Sequence, residues 1–199
     1  MSDAPLVVAI TGASGAPYAV RLLSQLAAAG RRVSLIVSSH GLRLLQTEMG
    51  ITTIASLREH IGGAAWDATV RVFDDADRGA APASGSGLSS GMIICPCSMG
   101  TIAAVAMGTS RSLVERAADV TLKERRPLLV VPRETPYSEI HLENMLRLTR
   151  AGAVVLPASP GFYHRPDSVD DLVDFIVARV LDHLGVIHSI APRWGGGGS

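Results

Sequence analysis

Six short apolar runs, most of them followed by a stretch of helical character, constrain this chain more than any other feature. The runs cover residues 6–11, 32–37, 70–73, 92–95, 128–132 and 153–156. Several are apolar throughout rather than at alternate positions, the pattern of strands covered on both faces. Helical patterns fall at 16–29, 40–49, 101–107, 113–124 and 138–150. A last helix carries Val169, Leu172, Val173, Ile176, Val177, Val180, Leu181 and Leu184 in one stripe. Ser168 is its expected N-cap, Asp170 and Asp171 suit its positive start, and Gly185 closes it. Alternation at this rhythm builds parallel β–α–β units. The expected fold class is therefore α/β: a doubly wound, three-layer α/β/α sandwich around a mainly parallel sheet of about six strands.

A chain of 199 residues is long enough to bury a full core as a single domain, here expected over residues 1–194. The final GGGGS, residues 195–199, reads as a linker-like tail, although Gly195 suits either side of that boundary. Eighteen basic residues balance 18 acidic ones, which argues against a general binder of nucleic acid or of anionic membranes. Recognition by charge must then be local. Cys95 and Cys97 flank Pro96, a spacing poor for a disulfide and too few sulfurs for a structural zinc, so a reducing cytoplasm is expected. The N-terminus has Asp3 and no basic residue before its apolar run, unlike a secretory signal. Residues 91–108 hold no charge over 18 positions, the length of a membrane span. Pro96 and the Cys-Ser-Gly-Thr interruption favour strand, turn and helix there instead.

In open α/β sheets a ligand sits outside the carboxyl ends of the strands, near helix N-termini. Past the first strand come Gly12, Ala13 and Ser14; past the second, Ser38 and Ser39; past the fourth, Cys97, Ser98, Gly100 and Thr101. Arg133 and Glu134 follow the fifth, and Ser159, Gly161, Phe162 and Tyr163 the sixth. Hydroxyls, bare amides and one cation suit a phosphate held by helix dipoles. The first turn, Gly12-Ala13-Ser14-Gly15, is neither a Walker loop nor a dinucleotide fingerprint, which need G-x-x-x-x-G-K and G-x-G-x-x-G. Each residue also has a plain structural reading. Gly12 and Gly15 permit a tight turn, Ser14 caps the next helix, and the cysteines are small buried hydrophobes rather than a catalytic thiol. Lys123, Glu124, Arg125 and Arg126 form a solvated helix end, and Arg179 snorkels beside an apolar stripe. His141 and His164 are general bases or structural. Residues 74–91, rich in Gly, Ala and Ser, form a long loop, either functional or a surface excursion.

Taken together, TGASGAPYAVRLL, ICPCSMGT, ERAADVTLKERRPLLVVPRE, IHLENML and PASPGFYHRP resemble the UbiX-type flavin prenyltransferases. The resemblance spans about residues 6–194, ends with PRW and keeps the family's motif order; it is weakest over residues 50–90. It implies a flavodoxin/Rossmann-like fold and transfer of a dimethylallyl group from dimethylallyl monophosphate to reduced FMN, closing a fourth ring across N5 and C6 without a metal. Carried over by position, Gly12, Ala13, Ser14, Ser38, Ser98, Met99, Gly100, Thr101 and Arg133 would hold FMN. Lys123, Glu134, Tyr163 and Arg179 would hold the prenyl phosphate, with Arg116 contributing across a subunit contact. Glu48 and Glu134 are the implied proton-handling carboxylates, and Ser14 would orient the reacting groups.

The chemistry such a reaction asks for is consistent with these residue types. Monophosphate leaves poorly unless its charge is stabilised, which Lys123, Arg179 and the Tyr163 hydroxyl would do. The allylic cation is sheltered by the electron-rich flavin face and must be kept from water. A carboxylate then assists loss of the C6 proton. The resemblance further implies a homo-oligomer, commonly a dodecamer, and a UbiD-type decarboxylase that receives the prenylated FMN, as in ubiquinone synthesis or aromatic acid breakdown. Two other readings stand beside it. A flavin-dependent cysteine-type decarboxylase usually shows Pro-Ala-Ser-Ala-Asn-Thr where this chain has Pro96-Cys97-Ser98-Met99-Gly100-Thr101. A non-catalytic FMN carrier would need no phosphate site beyond that of FMN.

Overall fold

The computed structural model of the protein describes residues 4–190; the Pro192-Arg193-Trp194 motif and the tail at 195–199 lie outside them. Strands β1 (Leu6–Ile10), β2 (Val33–Val37), β3 (Val70–Phe73), β4 (Met92–Cys97), β5 (Leu128–Pro132) and β6 (Val154–Val155) form one sheet. Its order is β3-β2-β1-β4-β5-β6, and every pairing is parallel. The chain winds outward from β1 in one direction, then returns to lay β4 on the other side of β1. That reversal opens a crevice outside the carboxyl ends of β1 and β4.

The pleat explains the uninterrupted apolar runs. In β1, Leu6, Val8 and Ile10 enter a core with α1 (Ala16–Ala28) and α8 (Val169–His183). Val7 and Ala9 enter a second core with α5 (Met99–Met107), α6 (Leu113–Lys123) and α7 (Glu139–Arg150). Both faces are therefore dry, and alternation would have left one wet. On α1, Leu22, Leu23 and Leu26 are fully buried, each stabilising the packing by about 2 kcal/mol. The uncharged stretch 91–108 is β4 followed by α5. Among the described residues no helix is long and apolar enough to cross a membrane.

Between α2 (Ser39–Met49) and β3 lie two helices not expected from the sequence, α3 (Ile54–Ile61) and α4 (Gly63–Thr69). Each is short and buries a single side chain, Leu57 and Trp66 respectively, so neither shows a periodic stripe. Helix α5 begins two residues earlier than expected because Ser98 caps it. β6 is shorter than its apolar run, yet Leu156 still donates to Val130 O and Ala158 to Pro132 O, both at 2.9 Å, so the chain follows β5 past Pro157. The 74–91 loop holds only a 3-10 turn at Ala81–Ala83, yet it is pinned. Arg126 donates to Gly85 O at 2.9 Å, Gly87 O at 2.8 Å and Ser89 Oγ at 3.2 Å. A free surface excursion would not be held this way.

Candidate functional site

A cleft of about 240 Å³ lies over the β1–β4 crevice, lined by Thr11, Gly12, Ser38, Ser39, His40, Asp75, Ser98, Thr101, Ser112, Val114 and Glu115. Four helices start around this edge: α1, α2, α5 and α6. Each has backbone N–H groups in its first turn with no partner inside the helix. The structure sorts them into two closed and two open.

At α1, the Glu48 carboxylate accepts from Gly15 N at 2.9 Å and Ala16 N at 2.7 Å. Gly15 is the N-cap and there is no side-chain cap from the turn itself, so Ser14 does not cap this helix. At α6, Asp75 takes the same part: its carbonyl accepts from Leu113 N at 2.8 Å and its carboxylate from Val114 N at 2.9 Å. Helices α2 and α5 differ. Ser38 Oγ accepts from Gly41 N at 3.1 Å and Ser98 Oγ from Thr101 N at 3.2 Å. The Ser39, His40, Met99 and Gly100 amides are left with no acceptor inside their helices. Two open N-termini with serine caps thus face one cleft, an arrangement suited to a phosphate.

Thr11, buried between them, ties the crevice together. Its hydroxyl donates to Pro96 O at 3.0 Å and accepts from Ser98 N at 3.0 Å, locking the end of β1 to the start of α5. Gly12 is required for space: a Cβ there would lie 2.6 Å from His40 Cβ. The acids in the wall are already engaged. Burial pushes Glu115 up, but the Arg111 side chain and backbone N–H and the Thr109 hydroxyl outweigh it, holding the carboxyl below its ordinary value. They therefore do little to repel an anion.

Beside the cleft, half-buried Arg133 donates through Nε to Ser14 O at 3.2 Å, joining the exit of β5 to the first turn. Glu134 follows it, accepting from Thr135 N at 3.1 Å. The Tyr18 ring lies under the turn, where a Cβ on Gly15 would meet it at 2.8 Å. Burial raises the Tyr18 pKa, with Cys95 adding to the rise and Arg133 opposing it. The cysteines are fully buried, and burial pushes the Cys95 thiol up to about 12 and Cys97 higher still. Neither is a nucleophile.

The cations named for the prenyl phosphate are elsewhere. Lys123 ends α6, whose start lines the cleft; ten residues on, it is about 15 Å down the helix. There it pairs with Glu124 near Gly85, beside the amino-terminal edge of the sheet. Arg116 pairs with Asp119 at 2.8 Å, and Arg179, ten residues into α8, pairs with Asp182 at 3.3 Å. Tyr163, in the segment leaving β6, is exposed. One protomer therefore assembles Gly12, Ala13, Ser14, Ser38, Ser98, Met99, Gly100, Thr101, Arg133 and Glu134 along one edge, but not Lys123 or Arg179 with them. His141 accepts from Ser138 N in the capping box of α7, a structural role. Thr11, Tyr18, His40 and Asp75 were not singled out in the sequence; the position of Thr11 and Asp75 directly after strands was the available signal.

The donor set fits a flavin mononucleotide: two open N-termini and two serine hydroxyls for one phosphate, with an arginine beside the glycine-serine turn. Comparison with known proteins agrees. The family model described as Flavoprotein matches residues 1–181. The chain is 52% identical over 197 residues to the flavin prenyltransferase UbiX of Pseudomonas aeruginosa, spanning 96% of this chain and 93% of that protein. AnUbiX (PadA1), solved in complex with FMN and dimethylallyl pyrophosphate, superposes with a TM-score of 0.89 at 39% identity, covering 98% of this chain and 99% of that one. A dodecameric FMN-dependent UbiX-like decarboxylase from Escherichia coli O157:H7 superposes at 0.88 with 41% identity, covering 96% and 100%. The chain belongs to the flavoprotein family, and within it to the UbiX-type flavin prenyltransferases.

Proposed function

We propose that this chain moves a dimethylallyl group from dimethylallyl monophosphate to reduced FMN. The observation that carries the reading is the pair of open helix N-termini, capped by Ser38 and Ser98, facing one cleft beside Arg133 and Glu134. The amides of Ser39, His40, Met99 and Gly100 hold the flavin phosphate with the two serine hydroxyls and Thr101. Gly12 and Ala13 let the turn approach closely, and Arg133 is steadied by the Ser14 carbonyl. Reduced FMN, once bound, supplies the nucleophilic N5 and C6 and a flat electron-rich face.

The protein's own residues then have two tasks. Cations must stabilise the departing phosphate, and one chain keeps Lys123 away from its own cleft. We therefore assign Lys123 and Arg116 to the cleft of a neighbouring copy, with Tyr163 and Arg179 completing the phosphate pocket. Closing the cleft by a second copy also excludes water, which would otherwise quench an allylic cation. Glu134 takes the C6 proton: Arg133, next to it, reaches the first turn, whereas Glu48 is engaged with Gly15 and Ala16. Ser14 orients the reacting groups. The same reading implies a cytoplasmic homo-oligomer that hands its product to a UbiD-type decarboxylase.

The test is anaerobic incubation with reduced FMN and dimethylallyl monophosphate, followed by mass analysis of the flavin. A gain of one five-carbon unit is expected, with the diphosphate run in parallel as donor. Carbon dioxide release from a peptidyl cysteine, or flavin recovered unchanged, would overturn the reading in favour of a decarboxylase or a carrier.

A further inference from the structure

We infer that the loop at residues 81–89 is a positioning device for the Lys123 ammonium, acting through Gly85 and Glu124. The inference rests on the reading that Lys123 serves the prenyl phosphate in a neighbouring copy's cleft.

Three contacts meet at the end of α6. Lys123 donates to the Glu124 carboxylate. Gly85 lies directly on that pair: a Cβ there would fall 2.6 Å from Glu124 Oε1 and 2.9 Å from Lys123 Nζ. Arg126 holds the loop in place, its guanidinium donating to Gly85 O, Gly87 O and Ser89 Oγ. The loop has little freedom of its own. Ala83 is buried in the same core as α6, and a Cβ on Gly87 would lie 2.5 Å from Ala81 O, so backbone packs on backbone there. The ammonium is thus bounded by a carboxylate and by a fixed stretch of main chain.

Stability does not account for this arrangement. Lys123 and Glu124 are both exposed, and exposed ion pairs contribute little. Glu124 is also the C-cap of α6, where a negative charge meets the negative end of the helix dipole. Its carboxyl nonetheless lies below its ordinary value, chiefly because the Lys123 ammonium donates to it, with Arg126 adding a smaller attraction. What the arrangement supplies is direction. A lysine carries its charge on a flexible four-carbon stem, and a misplacement of about 1 Å can cost a hundredfold in rate. Glu124 takes one of the three ammonium protons and leaves two for a phosphate.

Prenylation kinetics with dimethylallyl monophosphate, calorimetric titration of that donor into the oxidised FMN complex, FMN titration and urea unfolding test this. In Gly85→Ala the added methyl meets the ends of two flexible side chains, so the urea midpoint and FMN affinity should match wild type. Its kcat/KM for the donor is expected to fall roughly ten- to hundredfold, and its donor Kd to rise. Glu124→Ala should show the same loss, and Glu124→Gln, which keeps an acceptor oxygen for the ammonium, should recover most of it. Gly85→Ala added to Lys123→Ala should be no slower than Lys123→Ala alone. Should Gly85→Ala fail to fold, the two Glu124 variants carry the same comparison. Wild-type kcat/KM and donor Kd in a folded Gly85→Ala or in Glu124→Ala would overturn the inference. So would an equal loss of FMN affinity, no recovery in Glu124→Gln, or a further loss in the double variant. Wild-type turnover in Lys123→Ala would instead overturn the assignment of Lys123, and the role of the loop with it.

Discussion

The Glu48 carboxylate closes the start of α1 from a different helix, α2. The resemblance implies a proton-handling role for it. In the structure it caps a helix more than 30 residues earlier in the chain, accepting from Gly15 and Ala16. That contact was illegible because it crosses from one helix to another, whereas Ser14 sat at the position where a cap is normally sought. The two roles separate by substitution. Glu48→Ala should lower stability by about 1–2 kcal/mol in urea unfolding, whereas Glu48→Gln, which keeps an acceptor oxygen, should lose much less. A Glu48→Gln variant of near-normal stability that has lost kcat would return the proton to Glu48. The thiols give a second test, in pH. Folded Cys95 keeps its proton up to about 12, while an unfolded thiol ionises near 9. The resulting stability is fully present below pH 9 and is lost as pH rises towards 12. Urea midpoints should fall across that window, less steeply in a Cys95→Ala/Cys97→Ala double variant, and an alkylating reagent at pH 8 should leave the folded protein unmodified.

Secondary structure was readable wherever burial wrote a long signal. All six strands lie where the apolar runs do. β1, β4 and β5 are buried along their whole length, because a parallel strand covered on both faces has few polar positions to obscure it, whereas the edge strands β3 and β6 are only partly buried. Helices α3 and α4 were not readable: around Gly62 and Gly63, with one buried side chain each, they leave no period to detect. What no pattern announced was the division of labour among helix N-termini. Of the four helices that start at the cleft, Glu48 and Asp75 close α1 and α6, while α2 and α5 stay open. Removing the caps of the open pair should therefore affect stability and ligand together. Ser38→Ala and Ser98→Ala are each expected to cost about 1 kcal/mol in unfolding and to weaken FMN binding in fluorescence titration. Asp75→Ala should destabilise the start of α6 with little direct effect on phosphate affinity. Packing of α2 itself depends on Gly41, where a Cβ would lie 2.4 Å from Ile10 O, so Gly41→Ala should lower Tm sharply.

On the proposed reading one chain carries a half-site: the residues assigned to FMN gather along one edge, while Lys123 lies at the far end of α6 and Arg179 part-way down α8, each paired with a neighbouring acid. The resemblance names these residues as a set; spacing along a chain has no means of saying which copy each belongs to. Surfaces for further copies are present. Helix α7 buries only Leu148 and exposes Ile140, Leu142 and Leu146. The central claim, that each flavin cleft borrows Lys123 from another subunit, is tested most directly by mixing two inactive variants. Co-expressed Lys123→Ala and Arg133→Ala chains, assembled together, are expected to recover roughly a quarter of wild-type prenyl transfer, because random pairing places an intact cleft beside an intact Lys123 in that share of sites. Mixed oligomers as inactive as either variant alone would contradict the account.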